Sequence, residues 1–368
     1  MTISDVEQLM EKWAPRWTAW DRDNVGMQVG NRDKKVSRML VALELDQRVL
    51  SEAIRKKIDL IVTHHPLLFH PATSITSSDE TGRLLLGLAK HEIALYCAHT
   101  NLDVAEEGVS YALAELLGLH NVKFLSPLQA KMDKIVVFVP ASHADNVARA
   151  MASAGAGIIG NYEECSFRTI GTGTFKGGAE SEPFLGSPGT LAAVEEIRLE
   201  MTAPSALLDS IVQALKRVHP YEEVAYDVYP LRNHSLNIGM GALGNLPRPI
   251  ALRAFLRRVK KQLKCESLRY TGRLERQVRT IAVCGGSGTD LLETAVRARA
   301  DVFVTADIRY HTFQSAQGRI ALVDAGHWET EQGVLKPLAK KLQDETHQAG
   351  QRVTVSVSQY STNPVHSL

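Results

Sequence analysis

The sequence holds no run of about 18 apolar residues, so no helix within it is expected to cross a bilayer. It also lacks charge of one sign. The net charge is +1, which leaves no overall field to draw nucleic acid or an anionic membrane. Cysteine is scarce: Cys97, Cys165, Cys265 and Cys284 stand far apart and form no Cys-x-x-Cys. That spacing excludes a disulfide framework or zinc knuckle and suits a reducing cytosol. Aromatic residues make up only 6% and do not interleave with basic ones, so a stacking platform for single strands has no support. There is no Gly-x-Ser-x-Gly nucleophile motif. The start, MTISDVEQLMEKW, is acidic and helix-like, with Ser4 and Glu7 at capping-box spacing, and does not read as a secretory leader. The expectation is a cytoplasmic protein that neither enters a membrane nor binds nucleic acid.

What the sequence does have is a repeat. At 368 residues it exceeds one ordinary core, so two or three domains are expected. VLSEAIRKKIDLIVT (49–63) and LLETAVRARADVFVT (291–305) each pair a helical pattern with a short apolar run ending in Thr. IALYCAH (93–99) and IALVDAGH (320–327) form a second match. Behind each comes His-x3-acid, His99 to Asp103 and His327 to Glu331, and then another helical pattern. A third strand, SRMLVALELD (37–46) or RTIAVCGGSG (279–288), opens each copy. Residues 37–119 and 279–342 thus read as two copies of one α/β unit. Their near-continuous apolar strands predict parallel sheet covered on both faces.

A long stretch of different character, within residues 120–278, separates the copies. KIVVFVPASHADNVARAMASAG (134–155) reads strand, turn, helix, and residues 198–231 read strand, helix, strand. The stretch between is rich in Gly, Ser and Pro and reads as hairpin and loop. Two βαβ halves with extra hairpin strands predict a small ferredoxin-like α+β insert.

Ligands in open α/β sheets collect beyond the carboxyl ends of the strands. His64 and His65 follow IDLIVT; His99 and Asp103 follow IALYCA; Asp307 and His311 follow DVFVTA; His327 and Glu331 follow IALVDAG; Asp46 follows MLVALEL. Histidine numbers only 13, yet four or five gather at these few strand ends. Imidazole with carboxylate is the donor set for zinc, iron or manganese, and carboxylates can bridge a pair of ions. A single strand-end histidine is more often a cap or a satisfied polar group; the combination His-His-Pro, His-x3-Asp and His-x3-Glu outweighs that reading. Pro66 turns the chain, so two consecutive imidazoles can serve one cavity.

Other features carry less. GGSG (285–288) could cradle a phosphate but lacks the spacing and Lys of a P-loop, so a tight turn is as good a reading. In RAFLRRVKKQLK (253–264), the stripe Leu252, Phe255, Leu256, Val259 and Leu263 reads as core, with a solvated basic face. His219, Tyr221, Glu222 and Glu223 read as holding the start of a strand, the alternative being a further ion site.

WDRDNVGMQVGN (20–31), DLIVTHHPLLF (59–69), CAHTNLD (97–103), VTADIRYH (304–311) and DAGHWETEQ (324–332) together resemble the NGG-interacting-factor-three-like family, also called GTP cyclohydrolase I type 2. HPYEEVAYDVYPL resembles the insert of its long members, which is of PII/CutA type. Ala306 stands where a Gly is commoner in the family. The resemblance implies an N-terminal α/β half over 1–125, the insert over 126–235 and a C-terminal half over 236–368. It implies two divalent ions per chain, of zinc, iron or manganese, on His64, His65, Asp103, His327 and Glu331. It places His99, Asp307 and His311 around them, and it implies a homo-oligomer, a hexameric ring. The expected function is a metal-dependent hydrolase acting on a nucleotide such as GTP, with His99 or His311 moving protons; phosphoester hydrolysis is a variant of it. The alternative is a non-catalytic metal-binding regulatory or adaptor protein whose insert binds a partner or effector.

Overall fold

Leu60, Ile61, Val62 and Thr63 are all buried, as a parallel strand covered on both faces requires. The same holds for Ala94–Cys97, Val302–Thr305 and Ala321–Asp324. The structure, a computed structural model, describes residues 1–366 apart from 130, 161 and 233–237. Numbered along the chain, the strands are β1 (Gly26–Val29), β2 (Arg38–Ala42), β3 (Leu60–Thr63), β4 (Ala94–Cys97), β5 (His120–Leu128), β6 (Met132–Pro140), β7 (Phe167–Lys176), β8 (Leu191–Pro204), β9 (Tyr226–Leu231), β10 (Ile238–Ala251), β11 (Arg269–Tyr270), β12 (Gln277–Val283), β13 (Val302–Thr305), β14 (Ala321–Asp324) and β15 (Thr354–Val357).

The first sheet runs β1-β4-β3-β2-β15, the second β11-β14-β13-β12-β10-β5. In each, three consecutive strands are parallel, β2-β3-β4 and β12-β13-β14, with an antiparallel strand, β1 or β11, on the outer edge. The order β1-β4-β3-β2 is therefore repeated as β11-β14-β13-β12. The fold is α/β, and the repeat read from the sequence is a repeat of topology.

Two features were not visible in the pattern. Strand β15 crosses from the second copy to pair in parallel with β2, Val355 opposite Met39. The helix Leu335–Gln348 precedes it, and the segment places Val334, Leu338, Leu342 and Val353 in one core with Ile3, Val6, Met10, Met39 and Leu60. The N-terminal cap also differs. Thr2, not Ser4, caps the first helix, and its box partner is Asp5. The backbone N–H groups of Ile3 and Ser4 are taken by Lys34 and Arg32 carbonyls, which starts the helix earlier, and Glu7 pairs with Arg32 at 2.7 Å.

The chain divides into two compact units, residues 1–128 with 238–368, and residues 129–237. Both parallel-rich sheets lie in the first unit. Its ladder ends with Leu128 opposite Ile238, so the chain leaves and re-enters this unit at adjacent points. The boundary read at 125/126 falls inside β5, which goes on pairing with β10 to Leu128; the one at 235/236 lies outside the described residues.

The second unit has a four-stranded antiparallel sheet, β7-β8-β6-β9, and the helices Ala144–Ser153 and Leu208–Val218. Its elements run β-α-β-β-α-β. Ile135, Val137, Leu199 and Met201 on the sheet bury against Val147, Met151, Ile211 and Leu215 on the helices. The basic helix Leu252–Leu263, in the first unit, buries the five apolar residues of its stripe.

Candidate metal centre

Four imidazoles meet at the strand ends of the first unit. The His64–His65 ring centroids lie 4.9 Å apart, His64–His99 5.2 Å, His65–His99 5.3 Å and His65–His327 5.5 Å. After β3, the His64 and His65 N–H groups both donate to the Leu43 carbonyl beyond β2, at 3.1 and 2.8 Å. With Pro66 behind them, this bend presents consecutive side chains to one side, with ring planes only 42° apart. His99 stands at the N-cap of the short helix Thr100–Asp103, and His327 begins the helix His327–Glu331. Spacing of i to i+4 puts histidine and acid on one helix face. His327 Nε2 is accordingly 3.2 Å from Glu331 Oε1.

Each imidazole has its Nδ1 tied to an acceptor. His64 Nδ1 donates to the Ala98 carbonyl at 2.9 Å and His65 Nδ1 to Glu44 Oε1 at 2.9 Å. His99 Nδ1 donates to Asp23 at 3.0 Å and His327 Nδ1 to Asp307 Oδ2 at 2.6 Å. A carbonyl or carboxylate on Nδ1 fixes the ring and turns Nε2 to the site, as metal-bound histidines require. Three of these supports are carboxylates, and two of them, Glu44 and Asp23, escaped the sequence reading. Asp23 was within reach, because it lies inside the family segment WDRDNVGMQVGN. Beyond β2, Asp46, the strand-end acid of the sequence, instead caps the helix Gln47–Lys56 by accepting from Val49 N–H at 2.8 Å. Thr362, from the C-terminal segment, donates to Glu44 and accepts from Trp328 Nε1 at 3.2 Å.

The donor atoms form two overlapping groups, His64–His65–His99 and His65–His327–Glu331, each within 4.8 Å. His65 belongs to both. One Nε2 cannot complete two ions at once, so a second ion needs a further ligand. Asp103 is placed for it, with Oδ1 3.6 Å from His64 Nε2. Asp307 supports His327 and accepts from Ser287 Oγ, its backbone held in the left-handed region at φ 55°. His311 is exposed, 3.4 Å from Gln314 Oε1, and belongs to neither group.

The residues fit a divalent cation. His64 Nε2 and Glu331 Oε2 are buried without a hydrogen-bond partner among the described residues, although His65 Nε2 lies 3.0 Å from that same Oε2. Orphaned buried polar atoms cost about 1–3 kcal/mol each unless something satisfies them. The electrostatics point the same way. Burial opposes charge on His65, but Glu331 and Glu44 prevail and raise its pKa to about 10. Hydrogen bonding to Glu331 is the main cause that raises His327 to about 9. Burial would push Glu331 up; the imidazoles of His327, His64 and His65 around it hold it well below the usual carboxylate range. Protons on imidazole thus occupy the place of a cation among the carboxylates.

The GGSG loop reads as a tight turn. Gly286 N–H donates to Thr330 Oγ1 at 3.0 Å and Gly288 N–H to Thr305 Oγ1 at 2.8 Å, so neither is offered to a phosphate. A cleft of about 460 Å³ opens on the cluster, lined by Glu44, His65, Phe69, His99 and His327 among others. No helix among the described residues is long and apolar enough to cross a membrane.

Comparison with known proteins bears on the whole chain. The sequence model of Duf34/NIF3 (NGG1p interacting factor 3) matches residues 1–364. The protein named GTP cyclohydrolase 1 type 2 homolog in Halalkalibacterium halodurans is 40% identical over 347 residues, 93% of either chain. Its namesake in Bacillus subtilis is 37% identical over 364 residues, 98% of this chain and 96% of that one. The crystal structure of a Bacillus cereus protein related to NIF3 covers 100% of this chain and 99% of its own, at TM-score 0.75 and 38% identity.

Proposed function

The chain belongs to the Duf34/NIF3 family, and on that premise we propose that it is a dinuclear metal-binding protein, a metal-dependent hydrolase acting on a nucleotide. The carrying observation is the set of four imidazoles, each with Nδ1 tied down and Nε2 left for the shared site. His64, His65, His99, Asp103, His327 and Glu331 would hold two divalent ions, of zinc, iron or manganese. When bound, such ions supply Lewis-acid polarisation and a nucleophile at neutral pH. The protein's own part is positional. Asp23, Glu44 and Asp307 fix three of the rings, and Phe69, its ring 6.1 Å from His99, lines the cleft. The nucleotide reading draws on the name of the relatives and on a cleft within the about 300–1,000 Å³ range of small-molecule sites. His99, expected to move protons, shares a donor group with His64 and His65 and is read here as a ligand, while His311 lies outside both groups. The proposal includes assembly as a hexameric ring of identical chains, to be read by light scattering.

The test is to load the protein with each metal, incubate it with a nucleotide panel and follow products by mass spectrometry. About two ions per chain and turnover abolished by Asp103→Ala are expected. Turnover that survives Asp103→Ala would refute the catalytic role. Two bound ions with no turnover would favour the regulatory alternative, to which a separate cavity in the second unit gives a place for an effector.

A further inference from the structure

The second unit carries a cavity of about 650 Å³, walled by β7 and by the segment that follows the helix Leu208–Val218. Its centre is a carboxylate. Glu196 on β8 is 7% exposed, and its Oε1 accepts from the Tyr221 hydroxyl at 2.8 Å. Oε2 accepts no hydrogen bond among the described residues. Room for it is made by Gly173 on β7, where a Cβ would come closer than 3.0 Å to Glu196 Oε2. Gly173 has no positive φ, so the backbone does not demand glycine there. The demand comes from the carboxylate.

Aromatic rings line the same cavity. Phe138, Phe175, Phe184 and Tyr221 line the cavity. Phe175 and Phe184 lie 6.0 and 6.3 Å from the Tyr221 ring, at interplanar angles of 58° and 49°. Neighbouring His219 fixes Tyr221 and takes no part itself. Its Nε2–H donates to the Phe138 carbonyl at 3.1 Å, and its Nδ1 accepts from Tyr221 N–H at 3.1 Å. Both nitrogens are used, and burial lowers its pKa, so it stays neutral. The His219-Pro-Tyr221-Glu222 motif therefore serves to aim a phenol at a buried acid.

A carboxylate with one open oxygen among tilted ring faces is the chemistry that recognises an ammonium group. A flat heterocyclic base, the other ligand that a carboxylate reads, needs parallel faces to stack between, and these rings are inclined. Charge agrees. Glu196, Glu222 and Glu223 against Lys176 and Arg198 leave the lining at 3 − 2, one net negative charge, and Arg198 Nε already donates to Glu200 Oε1 at 2.9 Å outside the lining. The geometry points to a binding site in the second unit for a primary ammonium carried on an apolar or aromatic body, held by Glu196 Oε2 and the rings of Phe138, Phe175, Phe184 and Tyr221. The amine nitrogen donates to Oε2, and its apolar body covers the rings.

Phenethylamine is the probe and 2-phenylethanol its neutral isostere, titrated calorimetrically into the full chain. The amine is expected to bind at least about tenfold more tightly than the alcohol. Glu196→Gln keeps the size and removes the charge; it should erase that preference and leave the alcohol unchanged. Gly173→Ala crowds Oε2 without backbone strain and should abolish amine binding even if Glu196→Gln fails to fold. Tyr221→Phe keeps the ring and should retain the preference. Equal binding of amine and alcohol, no amine binding, unchanged amine affinity in Gly173→Ala, or tighter binding of guanosine than of the amine would each overturn the proposal.

Discussion

Gly286→Ala perturbs the candidate metal centre without replacing a candidate ligand. Gly286 sits at φ 59° in the turn after β12. Alanine there meets two separate costs. The left-handed backbone costs about 1–2 kcal/mol for a residue with a Cβ. The new methyl also lies closer than 3.0 Å to Glu331 Oε1 and 3.2 Å from His327 Cε1 and Nε2. The carboxylate must give way by a few tenths of an ångström or more, while ligand positions tolerate about 0.2 Å. A displaced ligand should cost metal affinity on the scale seen when a ligand's support is lost, about 10–100-fold, or about 1.4–2.8 kcal/mol. Gly318→Ala separates the two costs. Gly318 has φ 78° with nothing within 4 Å of its would-be Cβ, so it carries the strain alone. Thermal denaturation of the metal-free proteins should show comparable destabilisation of both variants. Competition with a chromogenic chelator should show weakened metal binding in Gly286→Ala only. Equal metal affinity in the two variants would refute the placement of Glu331 in the ligand set.

Two further outcomes follow from the hydrogen bonds around the site. Glu44→Ala frees the His65 Nδ1 and should lower metal affinity about 10–100-fold with little change in stability, because Glu44 is 31% exposed; chelator competition and denaturation together test it. Glu52 is fully buried, and although burial pushes its pKa up, hydrogen bonds from Lys56, Ser358 and Gln359 lower it below 4.5. A depressed carboxylate stabilises the fold above its unfolded value, and that contribution is lost as pH falls through the folded one. Wild type should therefore exceed Glu52→Gln in urea stability at neutral pH, and the gap should close below about pH 4; a gap that does not change with pH contradicts this role.

The parallel strands were legible because burial on both faces writes them as apolar runs, and their order in two copies gave the repeat. The histidines were legible because they end those runs. Two of their carboxylate supports were not. Glu44 and Asp23 act on His65 and His99 across 21 and 76 residues, and a lone carboxylate in a loop has no local signature. Asp46 had the better local signal, a strand end before a helix, and that signal was its cap. β15 stayed hidden because TVSV is short and only half buried, so it shows no continuous apolar run. Thr362 contacts Glu44 across 318 residues. In each case local pattern found the groups that face the site, and long-range contact decided which groups hold them.

The crossing of β15 has a consequence for how the protein comes into being. Ser356 Oγ donates to Met39 O across 317 residues, and the helix before β15 completes the core around Ile3 and Val6. A ribosome delivers His64 and His65 early and these structural partners only much later. Until then β2 is an open edge, the pairing most exposed to wrong partners. The second unit, contiguous from 129 to 237, can close while synthesis continues; the first cannot. The sheet that carries the histidines is complete only once residues 354–357 have emerged, and a chain cut short before residue 354 presents its histidines on an unsealed sheet.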